Sequence, residues 1–324
     1  MSIRERLKIV IRWPVYAFAD LISPKLSPPS DWEAECLSQL KAEVSALRLH
    51  EIKGVTVNDN WTRNLTILCN HILNDNPREF LRWPVVLRTM FAAFPPYILR
   101  ELYFLWRHNW PRWRRAIKES PVGRPYRYPL YPASSGNAIH HAYHLAVFED
   151  STAKNISGLN CIVEFGGGYG SMCRLFRNAG FKGRYVIFDL PYFSALQRYF
   201  LKVTRIIVAR SPSEAEPNDV ICVSNFSDLH ECFLEPEFHR NSLLVATWSL
   251  SEAPVDVRNT LLEITADFDF FLFGYQSEFA GVDNRKFFTN LAARWRRVIW
   301  QLRPISHLPG SYYLIGKTAR VSRS

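Results

Sequence analysis

A carboxylate and three glycines alternate in the stretch VEFGGGYGSM, residues 163–172: Glu164, Gly166, Gly168 and Gly170. Glycine lets the main chain come close to a ligand, and a carboxylate beside it favours positive charge. A phosphate-gripping ATP loop needs GxxxxGK[ST], and no lysine follows these glycines. A dinucleotide fingerprint needs GxGxxG or GxGxxA. Counted from Gly166 and Gly168, its last position falls on Ser171. The acidic lead with glycine at alternate positions fits throughout.

That pattern suits S-adenosylmethionine, whose sulfonium and ammonium are both cationic. A second carboxylate is expected at the end of the next strand to hold the ribose hydroxyls. RYVIFD supplies Asp189 there. The following strand ends in VSNFSD, where Asn225 or Asp228 faces the adenine. Gly167, Leu190 and Phe226 sit beside these residues and complete the expected cofactor set.

Methyl transfer to a hydroxyl needs alignment and a proton acceptor within hydrogen-bond reach. Glu252 follows the apolar run SLLVATWSL, at the same sheet edge as the glycine loop, and is the first candidate base. It also precedes Pro254 and a helix, where a negative charge is favourable on electrostatic grounds alone. His140, His141 and His144 form HHxxH. His140 and His144 are one helical turn apart. His140 and His141 are candidates for proton transfer and His144 for acceptor binding; helix packing is the alternative for all three. No HExxH or carboxylate-rich box accompanies them, so no metal is expected. Trp248 and Tyr275 end core strands and are expected to touch the acceptor. His230 and His307 are weaker candidates.

These residues need a scaffold. Residues 1–120 have helical periodicity, as in WEAECLSQLKAEVSALRL, where Cys36, Leu40, Val44 and Leu47 recur at helical spacing behind a capping Asp31. Within PVGRPYRYPLYPASSG four prolines exclude a helix or a central strand, so 121–136 reads as an extended linker. From 137 to 324 apolar runs alternate with helical segments: CIVEF, RYVIFD, DVICVS, SLLVATWSL, FDFFLFGY and SYYLIGK. TRIIVA is an additional strand candidate. Such alternation predicts a Rossmann-like, doubly wound α/β core with a seven-stranded, mostly parallel sheet.

The 324 residues are 48% hydrophobic and 22% charged, the profile of a folded chain, with a net charge of +10. The stretch from Arg100 to Arg127 is rich in arginine and interleaved with Trp106, Trp110 and Trp113. It suits a phosphorylated sugar or an anionic lipid surface, and no nucleic-acid module signature accompanies it. The amino-terminal segment places Ile3, Leu7, Val10, Phe18 and Leu21 at helical spacing among arginines, interrupted by Pro14. Core packing is the first reading of that segment, and peripheral contact with a membrane surface the second. No run has the length of a membrane span or the form of a cleaved leader. Six cysteines without a CxxC pair point to a reducing, cytoplasmic compartment.

VEFGGGYGSM followed by VIFDLPYFSALQRYFL resembles the class I S-adenosylmethionine-dependent methyltransferases. The GGGxG loop with its later FDLP is similar to the plant small-molecule O-methyltransferases. The nearer likeness is to the bacterial sugar O-methyltransferases, in EFGGGYG, in DLP with LQRYFL-like text, and in a later SxxE. Here that segment is TWSLSEAP, carrying Ser249 and Glu252, with SEAP in place of the family's SEM. The upstream GRPYRYP and SSGNAIHHAYH also look like that family, and the resemblance spans roughly 120–317. It implies methylation of a sugar hydroxyl in polysaccharide or nucleotide-sugar biosynthesis, with Ser249 at the acceptor. Methylation of a lipid or another small molecule, or a non-catalytic scaffold on the same fold, are the alternatives.

Overall fold

In the computed structural model, residues 14–47 and 59–319 are described. Helix follows over 14–21, then α1 (Asp31–Ala46), α2 (Asp59–Asn74), α3 (Pro84–Thr89), α4 (Ile98–Arg107) and α5 (Trp110–Ala116). The expectation built on Ile3, Leu7 and Val10 lies outside the described residues. Ser30 rather than Asp31 caps α1, its hydroxyl accepting from the Glu33 amide at 3.2 Å. Asp31 instead stands in the first turn, where its charge meets the helix dipole.

The stretch 121–135 forms turns around an isolated Tyr128–Tyr131 bridge, with Ser134 and Ser135 buried. Ser135 caps α6 (Gly136–Thr152), accepting from Ala138 at 3.1 Å. The segment is irregular, as its prolines require, but it packs closely and is no loose tether.

The sheet is built from β1 (Cys161–Phe165), β2 (Arg184–Phe188), β3 (Val220–Val223), β4 (Ser242–Thr247) and β5 (Phe270–Gln276). The two-residue strands β6 (Glu278–Phe279) and β7 (Val282–Asp283) form a separate hairpin, and β8 (Val298–Pro304) and β9 (Ser311–Thr318) complete the sheet. The strand order is β3-β2-β1-β4-β5-β9-β8. All neighbours from β3 through β5 pair parallel; β9 runs antiparallel to both β5 and β8. This is the expected Rossmann-like, doubly wound sheet of seven strands. The chain order reverses between β1 and β4, and open α/β sheets bind ligands at such a switch point. Sequence reading missed β8, whose exposed Ile299, Gln301 and Leu302 break the buried-strand signature. TRIIVA contributes only an isolated bridge, Val208 to Val220.

Helices α7 (Ser171–Asn178), α8 (Pro191–Val203), α9 (Phe226–Glu231), α10 (Ser249–Glu252), α11 (Val255–Ile264) and α12 (Asn284–Arg294) connect the strands. One sheet face joins α6 and the amino-terminal helices in a continuous apolar core that includes Leu40, Leu68, Phe80, Phe148, Tyr192 and Leu243. The opposite face buries Val163, Phe271, Phe273 and Leu261. The helical front third therefore shares its core with the sheet. No helix among the described residues is long and apolar enough to cross a membrane.

Candidate active site

The loop after β1 is built from its glycines. Gly166, Gly168 and Gly170 have φ of 73°, 57° and 90°, in the left-handed region that L side chains avoid. A Cβ at Gly166 would lie 2.3 Å from the Ser249 Cβ, so the loops after β1 and β4 meet there in a contact only glycine permits. The Ser249 hydroxyl donates to the Phe165 carbonyl and locks that contact.

Asp189, just past β2, ties the loop to the second strand. One carboxylate oxygen accepts from the Gly168 amide at 2.9 Å and from Gln197 Nε2 at 3.0 Å; the other accepts from the Leu190 amide at 2.8 Å. Burial pushes its carboxyl up to about 7, against the pull of those donors. Glu164 is 5% exposed and accepts from the Tyr185 hydroxyl at 2.7 Å. Burial lifts it to about 8; the Tyr185 hydrogen bond opposes the rise and the Asp189 charge adds to it. Two carboxyls poised this way are ionised most readily by an incoming cation.

Two cavities flank the loop and share Thr89, Met90, Gly166, Gly168, Trp248 and Glu252 in their walls. The first, about 180 Å³, runs over Phe165, Phe188, Asp189, Leu190 and Ser224 to Phe193. Its ring wall is stacked: Phe165 on Phe188 with centroids 5.7 Å apart, and Phe188 on Phe226 at 4.8 Å. The second, about 490 Å³, lies between Phe91, Phe94, Tyr97, His140, His141 and Glu164. The helical region 1–120 is expected from sequence to cover the acceptor, but no local pattern singles out Trp61, Met90 and Tyr97, which supply walls from α2, the end of α3 and the chain leading into α4.

Glu252 sits where the cavities meet. Burial raises its carboxyl above the usual range, against hydrogen bonds from Gln276 and Trp61. The Gln276 amide donates to it at 3.3 Å, and Gln276 in turn accepts from the Ser251 hydroxyl at 3.0 Å. Trp248 turns the chain from β4 into α10 at φ 66° and ψ −38°, held by its amide donating to Gly274 at 2.6 Å. Strain of this kind persists only where surrounding contacts hold it in place.

Behind the second cavity lies a buried polar chain. His140 Nδ1 meets the Glu101 carboxylate at 2.8 Å, and His307 Nε2 reaches the same carboxylate at 2.8 Å. Burial alone would raise the Glu101 carboxyl, but the two imidazoles outweigh it and hold it below the ordinary value. His140 Nε2 contacts His144 Nε2 at 3.2 Å, and His144 Nδ1 meets the Tyr313 hydroxyl. His141 lines the second cavity, its Nδ1 without a hydrogen-bond partner among the described residues, and burial, with His140 adding, drops it to about 3. Glu101 escaped the sequence reading, although it lies between Ile98 and Leu105 on the inner face of a helix; that pattern was its signal.

Several expected contacts lie elsewhere. His144 is fully buried beneath the cavity, occupied by Tyr313 and His140. Tyr275 points with Phe271 and Phe273 to the opposite sheet face and stacks on Phe288 at 4.1 Å, because strand side chains alternate. Gly170 packs toward Leu201 and lines neither cavity. Asn225 is spent as the cap of α9, accepting from the Asp228 amide at 2.8 Å while its own amide donates to the Asp228 carboxylate. Phe226 backs Phe188 without reaching the cavity. His230 is exposed on α9. The basic stretch is also divided. Arg112 pairs with Glu149 at 2.6 Å, Arg124 pairs with Glu79 and Asp20, and Arg127 is buried.

No protein-family model matches the chain, and no curated protein matches it. Among solved structures it is similar to the S-adenosylhomocysteine-bound methyltransferase PaMTH1 of Podospora anserina, at 10% identity over 82% of this chain and 98% of that one, TM-score 0.38. It is also similar to an O-methyltransferase of Bacillus cereus, at 12% identity over 72% and 95%, TM-score 0.38. The 16S rRNA methylase ArmA is a further neighbour, at 13% identity over 56% and 86%, TM-score 0.34. At such scores the likeness singles out no acceptor.

Proposed function

We propose that this chain is an S-adenosylmethionine-dependent O-methyltransferase whose acceptor is a sugar hydroxyl. The observation that carries the reading is the position of Glu252, at the junction of two cavities whose common wall is the glycine loop. The residues fit the donor. A side chain at Gly166 would strike Ser249, and one at Gly167 would come within 2.5 Å of Ile187, so the cradle is kept bare of side chains. Glu164, buried, and Asp189, half-buried, supply two carboxyls on either side of it.

In this reading Asp189 holds the ribose hydroxyls, Phe188 and Leu190 face the base, and Glu164 answers the cationic amino-acid end. The bound donor supplies an activated methyl group. The chain aligns the acceptor and manages one proton. Glu252 takes the proton of the acceptor hydroxyl on its carboxylate, and its raised pKa brings it closer to that task near neutrality. Trp61 and Gln276 fix its orientation. Trp248 and Tyr97 offer faces for a sugar ring. Glu101 holds His140 in place in the acceptor wall. The α2 and α3 helices keep bulk water from the junction.

The aromatic wall of Phe91, Phe94 and Tyr97 also favours a second acceptor class, a flat phenol. Labelled donor offered with nucleotide sugars and with simple phenols separates the two. Methyl transfer to the phenols alone overturns the sugar assignment. Calorimetry with S-adenosylmethionine and S-adenosylhomocysteine tests the cofactor, and absence of binding by both overturns the whole reading.

A further inference from the structure

Helix α4 has two faces that do different things. At 100° per residue, Ile98, Glu101 and Leu105 fall together on one side, and all three are buried. The opposite side carries Leu99, Tyr103 and Trp106, exposed by 51%, 56% and 57%. Such large apolar side chains are usually covered, and here three share one stripe. Tyr103 and Trp106 stack with centroids 5.9 Å apart. Arg100 and Arg107, two turns apart and both exposed, flank the stripe on one side. The single carboxylate of the helix, Glu101, faces inward. After the turn at His108 and Asn109, the chain exposes Arg114, Arg115 and Lys118 as well. None of these five cations forms a salt bridge among the described residues.

We propose that the outer face of α4 docks on an anionic membrane surface. Tyrosine and tryptophan prefer the headgroup boundary, leucine enters the acyl region, and unpaired arginines meet lipid phosphates. A nucleic acid would use the arginines but gains nothing from Leu99, which has no ring to stack on a base. The inner face of the same helix holds His140 through Glu101, and Tyr97 at its start lines the second cavity. Docking therefore brings that cavity close to the membrane, where an acceptor carried by a lipid would be met.

Sedimentation of the full chain with phosphatidylcholine vesicles and with mixed phosphatidylcholine–phosphatidylglycerol vesicles tests this. Binding to the mixed vesicles is expected to be roughly tenfold or more tighter, and to weaken with salt. The double variant R100E/R107E should lose roughly tenfold or more of that affinity. L99A/W106A should weaken binding while leaving the salt dependence in place. All four positions are exposed, so both variants are expected to melt with the wild-type protein. Equal binding to the two vesicle types, or no binding, overturns the proposal without any variant being needed. Wild-type affinity in both variants overturns it too. Displacement of the protein from mixed vesicles by single-stranded RNA at matched charge would reassign the face to nucleic acid.

Discussion

The chemistry proposed for this protein rests on three carboxyls around two adjoining cavities. Glu164, Asp189 and Glu252 are all lifted above their ordinary values, in each case chiefly by burial. Their tasks differ because their partners differ. Asp189 accepts from two main-chain amides and Gln197, which fixes the loop and leaves acceptor capacity for hydroxyls, whereas Glu252 meets two side-chain donors at the cavity junction. Glu252→Gln should keep donor affinity, read by calorimetry, and lower turnover by about two to four orders of magnitude. Wild-type turnover would remove it as the base. In the wild-type protein the rate should climb with pH through a value above that of a free glutamate, since only the carboxylate accepts a proton. Asp189→Asn removes an ionised acceptor and should weaken donor binding by about tenfold or more. Unchanged affinity would place the ribose elsewhere.

At the scale of elements, the decisive contact is between two loops, those following β1 and β4. They approach at Gly166 and Ser249, where no Cβ can be added without displacing main chain. Gly166→Ala combines a left-handed φ with a clash against Ser249. Together these should destabilise the fold by about 3 kcal/mol, read from denaturant unfolding. Loss of donor binding with wild-type stability would show instead that the loop bends locally and that the strain is confined to the cavity. The short α10 works with this contact: its strained first turn at Trp248 sets Ser249 against β1 and Glu252 toward the junction. Helix α4 has a comparable double role, presenting Glu101 inward and its aromatic stripe outward.

For the molecule as a whole, titratable groups withdrawn from water couple folding to pH. Glu164 at about 8 and Asp189 at about 7 lie above the values of the unfolded chain. The folded protein therefore binds more protons than the unfolded one over that range, and stability falls as pH rises toward 8. His141, held to about 3, has the opposite effect, since the unfolded chain binds its proton up to the ordinary value of 6.5. Between pH 6.5 and 8 that opposition fades as the unfolded histidine loses the rest of its proton, and the two carboxyls dominate. The ligand-free protein should melt at a lower temperature at pH 8 than at pH 6.5. S-adenosylmethionine, by favouring the ionised carboxyls, should shrink the difference. A melting temperature that rises across this window would mean that the two carboxyls are ionised in the folded protein without a ligand.

Local pattern was enough to read the parallel strands, the glycine loop, Asp189 at the second strand end and Glu252 beyond the fourth. Each depends on neighbours a few residues away: strand runs, φ-tolerant glycines, strand-end carboxylates. The exposed edge strand β8 was not legible, because its outer positions carry no burial signal. Nor were Glu101, Trp61 and Met90, which enter the site from helices remote in sequence. Tyr275 and His144 show the converse, being of the right type and at roughly the right height on the sheet, but turned away by strand alternation and by packing. Sequence determined which ligand chemistry the sheet edge can hold, since that is set by short-range backbone and charge. Only the tertiary structure decided which side chains complete the pocket, because that depends on which helix faces the common core buries.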